Sequence, residues 1–284
     1  MTHLDGVDVI YWINMERSTD RRTYMENLLA DPAFDGIPKQ RIPAIDGRTQ
    51  NVIQHFVMKR QERCSDIEYA CFLSHLETIR KFAEEETKGS TTGHIEPSSS
   101  RDVALIMEDD VSLDFRKYWT KSIREIIDSA PNDWDIILLS YMTSPEKIPQ
   151  QDFVLAYGHY FSAAAYLINR KSAQKFMRDT YRGGKYHLDD SARHVADEYP
   201  FHKMRAYVYK HPYFIYKANN DTTLLHQGSL NFHESSRKHI EDVLYGSNCW
   251  LRWIFIFIMI VLIVIAVLRL KIIPKRFLIT TKMN

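Results

Sequence analysis

The apolar positions of this chain fall into short solid runs, separated by stretches in which they recur every three or four residues. The solid runs at 8–14 (DVIYWIN), 41–45, 103–107 (VALIM), 134–140 (WDIILLS) and 161–169 read as strands. Between the first two, residues 20–30 (DRRTYMENLLA) open with an acid and stop before Asp31-Pro32. They predict a helix capped by Ser18 or Thr19. The clearest amphipathic helix begins at the capping box Ser65-x-x-Glu68 and puts Tyr69, Phe72, Leu73, Leu76, Ile79 and Ala83 on one face. Further helices are predicted at 114–129 and 171–181. Strands alternating with helices imply an α/β sandwich built on a mostly parallel sheet, whose ligands bind beyond the carboxyl ends of the strands.

Two segments break the alternation. Residues 84–102 (EEETKGSTTGHIEPSSSRD) are polar and aperiodic, and they read as a loop insertion within a domain spanning 1–245. Residues 253–268 (WIFIFIMIVLIVIAVL) carry no charge. With Trp250, Leu251 and Leu270 they reach about 20 apolar residues, the length of a transmembrane helix. Arg252 and Arg269 are placed to snorkel to the two interfaces. The expectation is a single C-terminal transmembrane helix at 250–270, a basic tail at 271–284, and the lipid bilayer as a partner. The basic tail favours a cytoplasmic C-terminus by the positive-inside rule. No signal peptide is visible at the N-terminus, which favours a tail anchor with a cytosolic domain. The sequon Asn220-Asp221-Thr222 leans the other way, so the side of the membrane stays open.

Composition narrows the function class. With 45% apolar and 12% aromatic residues in 284, the chain is not a disordered one. A net charge of +1 gives no general pull toward nucleic acid. That balance hides an asymmetry, since the tail after Leu268 adds five Lys/Arg and no acid, leaving the rest mildly acidic. Cys64, Cys71 and Cys249 have no metal-ligand spacing and suggest neither a zinc module nor a disulfide framework.

The chemistry begins where VALIM runs into Glu108-Asp109-Asp110. Three adjacent acids at the end of a buried strand repel one another, with no Lys or Arg beside them in sequence. A hard divalent ion, Mn²⁺ or Mg²⁺, would relieve the repulsion. Glu108 and Asp110, on the same side of an extended segment, are its candidate ligands and would bridge it to a diphosphate. The alternative is a solvated acidic turn. No G-x-x-x-x-G-K-[ST] motif is present, so a P-loop site is excluded.

The order of several separated motifs resembles glycosyltransferase family 25, the lipooligosaccharide and collagen-type galactosyltransferases. Ile13-Asn14-Met15-Glu16-Arg17-Ser18 with Asp20-Arg21-Arg22 is similar to the family's opening strand and loop, and Ala44-Ile45-Asp46-Gly47 to its AxDG turn. Glu68 to His75 resembles its C-x-L-S-H helix. Leu105 to Val111 resembles its LIxEDDV strand, Trp134 to Leu139 its WDxIxL strand, and Ala165 to Ile168 its AYLI strand. Val195-Ala196-Asp197-Glu198 and Tyr209-Lys210-His211-Pro212 are similar to two later segments, whereas Tyr216 stands where the family commonly has Gln.

The resemblance implies a GT-A-like nucleotide-sugar-binding sandwich and a metal-dependent enzyme. It would move a hexose, most often galactose, from a UDP-sugar to an oligosaccharide or hydroxylysine-type acceptor with inversion. Glu108 and Asp110 would hold Mn²⁺, while Asn14, Arg17, Asp46, Asp109 and His75 would bind the donor. Asp197 is the first candidate for the general base and Glu198 the second, with Asp189 and Asp190 nearby. His75 has an alternative role as a hydrogen-bonded structural histidine. A third metal ligand would come from His226 or His233. The competing functional reading is a catalytically inactive member acting as a membrane-tethered binding or assembly protein.

Overall fold

The first apolar run folds as strand β1 (Val9–Met15), buried along its five central residues. The rest of the architecture is built outward from it. A computed structural model of the chain describes residues 3–85, 102–157, 160, 162–217, 227–246, 254, 257–263 and 265. The chain divides into two units, Met1–His239 and Ile240–Asn284. After β1 come α1 (Thr19–Leu29), β2 (Lys39–Ala44), β3 (Phe56–Val57) and α2 (Asp66–Glu84). Next are β4 (Val103–Glu108), β5 (Val111–Ser112), α3 (Ile123–Ser129), β6 (Ile136–Leu138) and β7 (Phe153–Leu155). The order continues with β8 (Ala165–Asn169), α4 (Arg170–Thr180), β9 (Tyr181–Arg182), β10 (Lys185–His187) and α5 (Tyr199–Lys203). It ends with β11 (Ala206–Tyr209), β12 (Ile215–Tyr216) and α6 (Gln227–Leu244).

The central sheet has seven strands in the order β2-β1-β4-β8-β6-β11-β7. β1 is parallel to β2 and β4, and β6 is parallel to β11. β8 is antiparallel to both β4 and β6, and β7 is antiparallel to β11. The sheet is therefore mixed, with five strands running one way and two reversed. This agrees with the expected mostly parallel sheet, and the reversed β8 carries no mark in its sequence because Ala165–Ile168 is buried throughout. A run buried on both faces does not encode its own direction.

Side chains alternate between the two faces of the sheet. Ile10, Trp12, Leu105, Met107 and Leu167 pack in one cluster with Met25 and Leu28 of α1 and Ile123 and Ile126 of α3. On the opposite face, α2 packs against β1, β2 and α4, with Tyr11 edge-on to Phe82. The capping box at Ser65 and Glu68 forms as expected, and both of its reciprocal hydrogen bonds are present. A second box, Ser122 with Glu125, starts α3 at Ile123. The helix expected over 114–129 is thereby shortened, and a 3-10 turn at Arg116–Tyr118 takes its first part.

Of the insertion at 84–102, residues 86–101 lie outside the described residues. So does most of the expected span at 250–270, together with Cys249, His226 and the tail. Residues 257–263 and 265 are helical with exposed apolar side chains, Phe257 the most exposed. Among the described residues, no helix is long and apolar enough to cross a membrane.

Candidate functional site

β4 delivers the acidic triplet to the edge of the sheet where β1 and β2 also end. The amino end of β8 meets it there, because Glu108 N donates to Ala164 O (2.8 Å). Just upstream, the buried Ser162 holds φ at 131°. A non-glycine residue in that region is strained, and such strain collects at functional edges. A cleft opens at this edge, lined by the triplet and by Arg17, Arg21, Asp46, Cys71, His75 and Tyr216.

The positive charge absent beside the acids in sequence comes from α1. Arg21 splits its guanidinium between Asp109 Oδ1 and Asp110 Oδ2, each at 2.6 Å. Burial works against the Arg21 charge, but the two carboxylates hold its pKa above the usual value. Asp109 gives its second oxygen to Asn14, whose Nδ2 donates to Oδ2 at 2.6 Å. Burial raises the Asp109 pKa even so. Asp110 is different, since its Oδ1 is buried with no hydrogen-bond partner among the described residues. Its pKa is pushed up to about 7, first by burial and then by the charge of Glu108.

Glu108 turns the other way. Its Oε1 meets His75 Nε2 at 3.0 Å and lies 3.9 Å from Cys71 Sγ. Burial would raise its pKa, but the contact with His75 outweighs that and lowers it. His75 is fixed from behind, because its Nδ1 lies 3.1 Å from the Tyr166 hydroxyl and the two rings stack. Donor atoms of Cys71, His75 and Glu108 come within 4.8 Å of one another, so this trio is one possible metal set. Burial raises the Cys71 pKa and keeps a thiol rather than the thiolate a metal needs. The free Oδ1 of Asp110, beside a charged Glu108, suits a hard cation better.

The remaining candidates divide by position. Arg17 and Asp46 form an ion pair on the cleft wall. Their wall is fixed from beneath, where Ile45 N donates to Ser74 Oγ of α2 (2.9 Å). Gly47 explains the AxDG turn, since a Cβ there would lie 2.4 Å from the Asp66 carbonyl oxygen. Asn14 lines no part of the cleft; it is fully buried and its Oδ1 accepts from Arg41 Nε (3.0 Å) and Arg22 Nε (3.4 Å). It organises the loop behind the acids. Asp197 precedes α5, and its pKa is pushed up to about 6 by burial, then by the charges of Glu198 and Glu108. Glu198 stands 3.9 Å from Arg193. Asp189 is an exposed partner of Lys203, which lowers its pKa to about 2. His233 is buried, with its ring edge-on to Tyr216 at 4.4 Å and its Nδ1 unpartnered among the described residues.

Two cleft residues have no role assigned by the sequence motifs. Tyr216 sits on β12, which pairs with β5 just after the acids; its hydroxyl faces the Asp110 carboxylate as a second partner beside Arg21, and burial followed by the Asp110 charge raises its pKa. Arg21 did carry a signal. A basic residue in the first turn of a helix opposes the helix dipole, and it settles there when an acid from elsewhere faces it.

Residues 7–191 match the family model described as glycosyltransferase family 25 (LPS biosynthesis protein). A "Glycosyltransferase 25 family member" of Aedes aegypti is 25% identical over 194 residues, covering 61% of this chain and 28% of that protein. "Procollagen galactosyltransferase 2" of Homo sapiens is 23% identical over 220 residues, covering 71% of this chain and 32% of that protein. The chain thus spans about a third or less of the length of these curated relatives.

Proposed function

The chain belongs to glycosyltransferase family 25, and from that premise we propose that it is a metal-dependent hexosyltransferase. Its donor is a UDP-sugar, with galactose the first candidate because the relatives are named procollagen galactosyltransferases. Its acceptor is a glycan or a hydroxylated protein side chain, and transfer inverts the anomeric carbon. The mixed α/β sheet with its ligand cleft at the strand ends is compatible with a GT-A-like sandwich.

One observation carries this reading. Asp110 Oδ1 is a buried carboxylate oxygen with no hydrogen-bond partner among the described residues, beside the charged Glu108 in a strand-end cleft that Arg17 and Arg21 also line. Glu108 and Asp110 would hold Mn²⁺ or Mg²⁺, which when bound would offset charge on the departing nucleoside diphosphate. Arg17, paired with Asp46, presents a fixed cation to the ribose or diphosphate. Asp197 takes the proton of the acceptor hydroxyl as its oxygen attacks. A pKa of about 6 leaves most of this carboxylate ionised at neutral pH while keeping it basic enough to accept that proton. The apolar run 253–268 anchors the enzyme in a membrane.

The test is UDP release by the full chain from a panel of UDP-sugars, with and without Mn²⁺, for the native protein and for Asp110→Asn and Glu108→Gln. Metal-dependent release lost in both variants is the expected result. Robust turnover by a folded Asp110→Asn variant would falsify the metal assignment. UDP binding without turnover of any donor would point to the inactive, binding-only alternative.

A further inference from the structure

Resting on the metal reading above, we propose that Arg21 competes with the divalent cation for the acidic triplet and is drawn off it by the donor's diphosphate. Metal and nucleotide would then bind cooperatively. Arg21 would be a binding residue with two successive partners, the carboxylates before loading and the phosphates after it.

Three observations lead here. The first is the geometry of the pair. The two terminal nitrogens of one guanidinium are divided between Asp109 and Asp110 at 2.6 Å each, and only 13% of the Arg21 side chain is exposed. A cation bound to Asp110 would sit beside this guanidinium, and like charges at such separations repel strongly out of bulk water.

The second is incomplete satisfaction. Arg21 Nε and Asp110 Oδ1 are both buried without a hydrogen-bond partner among the described residues, one on each member of the same ion pair. Asp109, by contrast, has protein partners on both oxygens. Buried polar atoms left unpaired cost free energy, and a site that leaves a donor and an acceptor open together is suited to a second arrangement that uses both. One guanidinium also answers two carboxylates, with the charge of Glu108 close by, so the cluster remains short of positive charge.

The third is placement. Arg21 stands in the first turn of the eleven-residue helix α1, where the helix dipole disfavours a cation. It lines the same cleft as Arg17. The planar fork that bridges two carboxylates here also matches phosphate oxygens bidentately, so a diphosphate in the cleft offers Arg21 an equivalent partner. Neighbouring Arg22 faces away, bonding Glu16 and the Asn14 side chain, so the two consecutive arginines have separate tasks.

Binding of Mn²⁺ by the full chain, followed through the electron paramagnetic resonance of the free ion at pH 8, tests this without any turnover. With no nucleotide present, R21Q should bind Mn²⁺ about tenfold tighter than the native protein. UDP should tighten Mn²⁺ binding by about tenfold in the native protein, and by about twofold or less in R21Q, within the ordinary range of coupling between sites. If R21Q binds Mn²⁺ no tighter than the native protein, or keeps the full effect of UDP, the competition is refuted while the metal site stands. If the native protein binds no Mn²⁺ with or without UDP, the metal reading itself fails. Should R21Q not fold, R21K replaces it. One ammonium does not reproduce the fork, so tightening of about threefold is expected and none refutes the proposal.

Discussion

Replacing Asp110 by Asn should make the metal-free protein more stable at pH 8, although it removes half of an ion pair. Burial and the charge on Glu108 raise the Asp110 carboxyl pKa from 3.8 to about 7. A group whose folded pKa lies above its unfolded value penalises the native state once pH exceeds both. As pH falls, the native state takes up the proton near 7 and the unfolded chain only near 3.8, so stability rises through that window. A tenfold change in a protonation constant is worth about 1.4 kcal/mol, which puts the penalty at pH 8 near 4 kcal/mol at most. The Arg21 contact is already contained in the raised pKa, and Arg21 keeps Asp109 after the substitution. Urea unfolding of both proteins at pH 8 and pH 5 measures the effect. Asp110→Asn should be about 2–4 kcal/mol more stable than the native protein at pH 8, with most of the advantage gone at pH 5. Asp197 titrates in both proteins and cancels in the difference. Millimolar Mn²⁺ at pH 8 should stabilise the native protein and leave the variant unchanged. A variant less stable than the native protein at pH 8, or a difference that does not change with pH, would refute this account of the site.

Asp197→Asn should lower kcat/KM by about 10²–10⁴-fold while leaving UDP binding intact by calorimetry. In the native enzyme held saturated with Mn²⁺ at every pH, so that Asp110 stays loaded, kcat/KM should fall tenfold for each pH step of one below about pH 6, because the ionised base is lost as pH drops through its pKa; an acidic limb near 4 would assign the base elsewhere. His75→Phe keeps a ring beside Tyr166 but removes the contact to Glu108, and should weaken Mn²⁺ about 10–100-fold in the same resonance assay. Gly47→Ala drives a Cβ against the Asp66 carbonyl oxygen and should cost about 1–3 kcal/mol, seen as a lower Tm, with a raised KM for the donor because Asp46 is its neighbour.

What could be read in the sequence was what neighbours in the chain determine. The solid apolar runs became β1, β4, β6 and β8, and the Ser65 box capped α2, because burial on both faces and a local cap are properties of a few consecutive residues. The reversed direction of β8 was not legible, since Ala165–Ile168 is equally apolar toward either neighbour. The start of α3 was missed although its signal was present. Ser122 and Glu125 stand at the same spacing as Ser65 and Glu68, inside a stretch whose apolar pattern ran on without a break.

The site divides in the same way. Its acids were conspicuous because three carboxylates in a row violate local electrostatics, and that violation required a distant remedy. The remedy that folding supplies is Arg21, whose Nη2 reaches Asp110 across 89 positions of sequence. The puzzle was therefore local and its answer was not. The same separation explains why the structure divides the triplet between two roles, with Asp109 tied to Asn14 and Arg21, and Glu108 tied to His75. Among the described residues, Asp110 Oδ1 is the buried carboxylate oxygen of the triplet that no hydrogen bond satisfies. On the proposed reading, an acidic triplet held in place by its own fold with one buried oxygen left over is organised for a ligand more than for stability, and the gain predicted for Asp110→Asn in the metal-free protein is the measure of that.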